Sequence, residues 1–304
     1  MSVPMSTGSL GKALAPGLRA IFGLAYKEHP EYFRDIFDVV KSDRAFEEDL
    51  NFSSLGLAPI RPEGENTKYD SMHAAFLKRY VHDCYSLGFA ITKNAMDDNM
   101  HNEIAVARSK SLARAMRLTK ETVCANVLNR AFNSSYTGAD GLELCSAAHV
   151  RSAGGTYANE LAVAANLSEA SLEQALIDLS KMKDDRGLNI VIEASSLIIP
   201  SDLVFEAQRI VKSPLRSGVA DNDINASRDM GMVPNGIKKN PFLTSTTAWF
   251  LKTDCPNGMV LFDRLSPEMS DEVDFDSDNV RFKAVMRFAA GWSDPRGIFG
   301  SPGV

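Results

Sequence analysis

Residues 95–132 read AMDDNMHNEIAVARSKSLARAMRLTKETVCANVLNRAF, and this stretch decides the fold. It lies inside a longer run, residues 89–137, that contains neither glycine nor proline. Ala, Arg, Met, Leu, Lys and Glu dominate it, all residues that lose little on entering a helix. Asp97, Asp98 and Glu103 stand near its start and Arg114, Arg117, Lys120 and Arg130 follow later, an order that complements the helix dipole. Met100, Ile104, Ala107, Leu112 and Met116, then Val123 and Val127, recur in steps of three to five within each group and predict one buried side. The expectation is one continuous helix over at least residues 99–127. At 1.5 Å per residue the full stretch would be roughly 55 Å long, more than a compact enzyme of this size needs. The basic residues Arg108, Lys110, Arg114, Arg117 and Lys120 are expected to form a solvated face or to pair between subunits.

Upstream the chain looks extended. Residues 1–55 read as an arm, broken at its start by Pro4, Gly8, Gly11, Pro16 and Gly17, with a short helical stretch from Pro30 to Val40. Gly56, Pro59, Pro62 and Gly64 open a second segment, in which Phe76, Tyr80, Val81, Tyr85, Phe89 and Ile91 recur. Aromatic and β-branched residues at that density predict a long two-stranded excursion. An arm and a ribbon cannot cover their own apolar side chains, so Phe33, Phe37, Phe76, Tyr80 and Tyr85 are expected to contact other copies of the chain.

Downstream, glycine-rich residues 133–166 precede a second helix at 168–183. Ser168 is its cap, and Leu172, Ala175, Leu176, Leu179 and Met182 share one face. Residues 190–199 predict a buried strand, followed by Pro200 and a short helix to about Val211. A hairpin is expected across Pro256-Asn257-Gly258, pairing 248–252 with 259–262, and a last strand at 282–288. The acids between Arg264 and Arg281 (Glu268, Asp271, Glu272, Asp274, Asp276 and Asp278) read as a solvated loop.

Composition limits the function. The chain has 304 residues, 44% hydrophobic and 24% charged, with a net charge of −6. These are values of a globular protein with a sizeable core, and the charge argues against a dedicated nucleic-acid binder. No apolar run is long enough to span a membrane, and the N-terminus lacks a signal-peptide core, so the chain is expected to stay in the cytoplasm. The cysteines 84, 124, 145 and 255 form no C-x-x-C pair and read as reduced, small hydrophobic residues.

Catalytic patterns are lacking. Gly8 to Lys12, GSLGK, misses the P-loop spacing. Asp274, Asp276 and Asp278 begin a calcium-loop pattern that fails at Asn279 and Val285. Ser146 and His149, with Cys145 and Asp140 nearby, could be read as a hydrolase site, but such partners normally converge from distant segments. The expectation is therefore no catalytic, cofactor or metal residue.

The order of segments resembles the Hong Kong 97 fold of tailed-bacteriophage major capsid proteins, and most of all the Mu-like major head subunit family. The phrases that carry the resemblance are Gly88 to Lys93 followed by Met96-Asp97-Asp98, Leu144 to His149 followed by Gly154-Gly155-Thr156 and Asn159, Leu167-Ser168 through Gly187, Ile198 to Leu203 with Ala207, and Phe275 to Gly303 with Gly291-Trp292 and Arg296-Gly297. It implies an α+β fold: an N-terminal arm (1–55), an extended β-hairpin loop (56–92), a spine helix with a peripheral domain (93–166), an axial domain (167–274) and a closing peripheral strand (275–304). It implies a non-enzymatic shell protein, with no cofactor, that forms pentamers and hexamers around double-stranded DNA touched non-specifically. The shell would assemble in the host cytoplasm and become the virion capsid. Few residues precede the loop, so a separate scaffolding protein is expected beside a portal, with room for a decoration protein. An encapsulin-like compartment shell, and a soluble hydrolase at Ser146 and His149, are the rival readings.

Overall fold

The computed structural model describes residues 7–72, 74–97, 101–152, 154–215, 224–274 and 278–304. In chain order the elements begin with helix α1 (Thr7–Glu28), the one-turn helix α2 (Phe33–Ile36) and strands β1 (Asp38–Lys41), β2 (Phe46–Phe52), β3 (Ala74–Val81) and β4 (Asp83–Ile91). Helices α3 (Lys93–Asp97) and α4 (His101–Asn129) follow, then the short strands β5 (His149–Val150) and β6 (Thr156–Tyr157) and helix α5 (Glu169–Ser180). The rest comprises β7 (Ala194–Ile199), α6 (Val204–Lys212), α7 (Ala226–Asp229), β8 (Ile237–Lys239), β9 (Trp249–Thr253), β10 (Met259–Val273), β11 (Val280–Trp292) and β12 (Ile298–Ser301). The fold class is α+β.

Two four-stranded sheets organise the described residues, in the orders β1-β10-β11-β4 and β12-β9-β7-β8. The first is built on the long antiparallel ladder of β10 and β11, with β4 antiparallel to β11 and β1 parallel to β10. The β10 register shifts between Asp263 and Glu268, beside Pro267, which has no N–H to give a ladder. Helices α1 and α4 pack together and against this sheet. Leu18, Phe22, Leu112, Met116, Leu261 and Phe282 join in its core. A second core forms around Leu172, Leu179, Leu197, Trp249 and Phe299, where α5 and α6 cover the other sheet.

Helix α4 is continuous over 29 residues, about 43 Å. Residues 98–100 lie outside the described ones, so the expected start at 99 does too. The buried stripe is the expected one only in part. Ile104 and Ala107 face outward, while Ala105, Ser109, Leu112, Ala113, Met116, Arg117, Lys120, Glu121, Cys124 and Leu128 are buried at steps of three and four. Leu112 and Met116 are buried as expected and Val123 and Val127 pack against the core, but apolarity alone missed the three inward positions that carry charge. Ser168 and Ser171 cap α5 reciprocally: each Oγ accepts the other's backbone N–H, at 3.2 and 2.9 Å. Its inward face is the expected one.

Several expectations need correction. Residues 7–28 form one helix despite Gly8, Gly11, Pro16 and Gly17, because packing along α4 outweighs weak propensity. The helical stretch near Pro30 ends at Ile36, and residues 38–41 form a strand. The strand expected at 190–199 begins at Ala194. Residues 248–262 are not a hairpin: β9 pairs with β7 and β12, whereas β10 pairs with β1 and β11, so Pro256 to Gly258 carries the chain between sheets. Glu268, Asp271 and Glu272 lie on β10 rather than in a loop, and Asp276 falls outside the described residues. The last segment serves both sheets, since β11 belongs to the first and β12 pairs with β9 in the second.

Candidate subunit interface

Strands β2 and β3 form a ribbon of their own, Phe46 opposite Val81 and Leu50 opposite Leu77. The ribbon is anchored at its base. Tyr80 packs against Phe262 with ring centroids 4.9 Å apart, and its hydroxyl lies 2.7 Å from Ser293 Oγ. A Cβ at Gly291 would stand 2.9 Å from Tyr80 Cε1, so only glycine lets this ring close down on β11. Asn51 Nδ2 donates to Ser293 O at 2.9 Å.

Between the two strands, residues 53–73 carry no regular structure among the described positions. Their apolar side chains face water: Leu57 is 80%, Ile60 94% and Tyr69 95% exposed, with Leu55, Met72 and the adjoining Phe52 of β2 more than half exposed. One contact ties this excursion to the second sheet's side of the molecule. The Arg186 guanidinium grips the Asp70 carboxylate, and Arg186 Nη2 also donates to Ser71 O at 2.9 Å. The Gly56 amide donates to Asp70 Oδ2 at 2.8 Å. The hydrogen bond from Arg186, then those from the Gly56 and Ser71 amides, hold the Asp70 carboxyl down at about 2.

The residues expected to meet other copies divide into two groups. Phe33, Phe37 and Tyr80 are buried within the chain itself, and this corrects the expectation for them. The arm is not an unsupported strand; α2 lies on α4, which covers Phe33 and Phe37, while Tyr80 is covered at the ribbon's base. Phe76 and Tyr85 are half-buried, each on the wall of a surface cavity. Strand β4, expected in the excursion, is instead the edge strand of the first sheet, where Phe89 stacks on Phe282 at 5.0 Å.

Beneath the arm lies a charged cluster whose basic members were expected on a solvated face or in pairs between subunits. Arg117, 2% exposed, pairs with Glu31 at 2.9 Å, donates to Tyr26 O at 2.9 Å and stacks on the Tyr26 ring. Lys120, 3% exposed, pairs with Asp263 at 3.2 Å. Glu121 Oε2 accepts the Phe33 amide at 3.0 Å, while Tyr26 Oη, Glu121 Oε1 and Asp263 Oδ1 are buried without a partner among the described residues. Burial pushes the Glu121 carboxyl up to about 7, against the opposing pull of the Phe33 amide and Arg117. The signal in the sequence was the three- and four-residue spacing of Arg117, Lys120 and Glu121 with Ala113, Met116 and Cys124.

The Ser146 and His149 neighbourhood is a structural knot. His149 is fully buried, with Nδ1 2.5 Å from Asp140 Oδ2, Nε2 3.3 Å from Leu144 O and its ring stacked on Tyr157. Both ring nitrogens are thus occupied, and neither is left to activate Ser146. Buried Asn159 accepts the Ser146 amide through Oδ1 and donates through Nδ2 to Leu144, Pro295 and Ile298 carbonyls. It joins the loop to the chain's end. Burial raises the Cys145 thiol well above its ordinary range, which keeps it protonated. Among the described residues no group of three or more His, Cys, Asp or Glu side chains is placed to hold a metal ion, and no helix is long and apolar enough to cross a membrane.

Comparison with known proteins adds the following. A family model described as phage capsid protein matches residues 78–300. The virus-like particle from Pyrococcus furiosus has a TM-score of 0.55 at 9% identity, covering 94% of this chain and 98% of that one. Mycobacterium phage Che8 gives 0.51 at 14%, with coverages of 88% and 90%, and the procapsid of bacteriophage JBD30 gives 0.51 at 13%, with 96% and 75%. At such identities the structural likeness establishes the fold alone. No curated protein matches the sequence.

Proposed function

Because this chain belongs to the phage capsid protein family, a shell protein of the virion rather than an enzyme, we propose that it is a major head subunit of the Mu-like type with Hong Kong 97 architecture. The virus-like particle is structurally as similar as the phage capsids. The family match favours the phage shell over an encapsulin-like compartment.

In this reading α4 is the spine, the sheet β1-β10-β11-β4 with α1 forms the peripheral domain, and the sheet β12-β9-β7-β8 with α5 and α6 forms the axial domain. The ribbon β2–β3 with residues 53–73 is the extended loop and lies on a neighbouring copy. Phe76 and Tyr85 contribute to contacts between copies. Pentamers and hexamers close around double-stranded DNA, with a separate scaffolding protein and a portal, in the host cytoplasm.

The observation that carries the reading is the loop itself. A two-stranded ribbon is marginal alone in water, yet this one presents Leu57, Ile60 and Tyr69 almost fully exposed. Patches of that kind mark interfaces, and shell contacts join unlike surfaces of successive copies. Electron micrographs and sedimentation of the expressed protein test it. Rings or closed shells are the expected result; a stable monomer at high concentration with scaffold present would overturn it.

A further inference from the structure

Strand β3, the start of β4, the last turns of α4, residues 135–137 and the end of β11 enclose a cavity of about 570 Å³ on the first sheet's side. Its walls hold two cations, Lys78 and Arg130, that are not paired with a carboxylate among the described residues. Lys78 is half-buried; its Nζ donates to Thr137 O at 3.3 Å and stands 5.1 Å over the Trp292 ring. No carboxylate among the described residues is within ion-pair distance of it. Burial lowers its pKa against the more distant pull of Asp140, the mark of an ammonium that lacks solvation. Arg130, at the C-terminal end of α4, stacks over the exposed Tyr136 ring at 4.3 Å and likewise meets no carboxylate among the described residues. Trp292 is 8% exposed, and its indole N–H is buried with no acceptor among them.

The remaining charges on these walls are already engaged. Arg79 faces Glu48 at 3.8 Å and the Phe46 ring, and Asp83 interacts with the Tyr85 hydroxyl. Two cations that meet no carboxylate among the described residues, one half-buried and one exposed, therefore share the walls of one cavity.

Resting on the assignment as a shell subunit, we propose that this cavity is a receptor for a carboxylate side chain of a second copy of the chain. Three observations select that occupant. Cations without a counter-charge call for an anionic partner. Tyr85, Val123, Val127 and Phe288 line the same walls, so the occupant brings an apolar stem beside its charge, which a free phosphate does not. The chain carries 39 acidic against 33 basic residues, so in a shell of copies the nearest surplus carboxylate belongs to a neighbour. The carboxylate bonds Lys78 and Arg130, and the site rejects cationic and uncharged side chains.

The test reads Trp292, one of two tryptophans; the other, Trp249, is fully buried in the second core. In unassembled full-length chain, the acetylated, amidated peptide Leu-Glu-Glu-Leu is expected to shift the tryptophan emission saturably, and Lys78→Met with Arg130→Gln to remove the shift. In assembled shells the same peptide is expected to have no effect, because a neighbour fills the site. The double variant is expected to raise the concentration needed for assembly at least tenfold while its unassembled form melts as the wild type does. Exposed Arg130→Gln alone serves if the double variant does not fold. The proposal is overturned if the peptide leaves the unassembled chain's emission unchanged, if inorganic phosphate or single-stranded DNA gives the same shift, if shells respond as the free chain does, or if the variants assemble normally. Wild-type chain that forms no shell at all would instead overturn the shell assignment, whatever the peptide does.

Discussion

Leu57, Ile60 and Tyr69 on the ribbon's excursion lie almost wholly in water, whereas Arg117, Lys120 and Glu121 on α4 lie almost wholly out of it. Each region inverts the usual sorting of side chains, and for opposite reasons. The charges of α4 find their partners inside one chain: Glu31, Asp263 and the Phe33 amide come from the arm and from β10 to meet them. Burying ions is costly and is tolerated only when partners are in place. The apolar side chains of residues 53–73 have no such internal partners, and they remain a liability until another surface covers them. The cluster therefore ties the arm to its own subunit, while the excursion, held to its own chain through Arg186, leaves its apolar side chains open to a different one.

The strongest way to break this contrast is to break the helix that carries the cluster. Ala113 is fully buried in the middle of α4. Proline there removes a backbone hydrogen bond and clashes with the preceding turn, at about 3 kcal/mol or more. Ala113→Pro is expected to yield no soluble chain, and recovery of normal particles from it would contradict the assignment of α4.

Next in size is the ionic cluster itself. Arg117→Met leaves Glu31 without one cation and the Tyr26 carbonyl without its donor. Removing one partner of a buried pair typically costs about 3–5 kcal/mol. Denaturant unfolding of the unassembled variant measures this, and a loss under about 1 kcal/mol would mean that water reaches the cluster.

Proton linkage at Glu121 gives a smaller effect with a definite sign. Its folded value, raised to about 7 by burial, exceeds the ordinary 4.5. The folded state thus holds the proton more tightly than the unfolded one. The stability this contributes is fully present below about pH 4.5 and is lost as pH rises through 7, by at most a few kcal/mol at about 1.4 kcal/mol per unit. Unfolding measured from pH 5 to 8 is expected to show that decline, and Glu121→Gln to flatten it.

The smallest effect on stability is expected at the other pole. Replacing residues 54–72 by a short Gly/Ser bridge spares Tyr80, Asn51 and both ribbon strands and adds little closure entropy. The unassembled chain is expected to melt within about 0.5 kcal/mol of wild type, as exposed positions usually do, yet to form no shells. Unfolding would place the excursion in the core, and normal assembly would show that it clasps no neighbour.

Much of this architecture could be read from residue order. The helix followed from a run free of Gly and Pro. The α5 face followed from Leu172, Leu176 and Leu179, and its cap from Ser168. These are local properties: propensity, periodicity and hydrogen bonds made within four residues. The Gly- and Pro-rich opening of the excursion likewise announced an exposed segment. The tertiary structure alone decided which strands share a sheet, because β10 finds β1 across more than 200 residues in one case and β11 across only six in the other. It alone decided which side of α4 faces inward, because a buried Arg, Lys or Glu is tolerable only when Glu31, Asp263 and a backbone amide arrive from elsewhere. It alone showed that Phe33, Phe37 and Tyr80 are covered by their own chain while Leu57, Ile60 and Tyr69 are not. A sequence specifies how apolar a side chain is, but its cover depends on surfaces that meet only after folding.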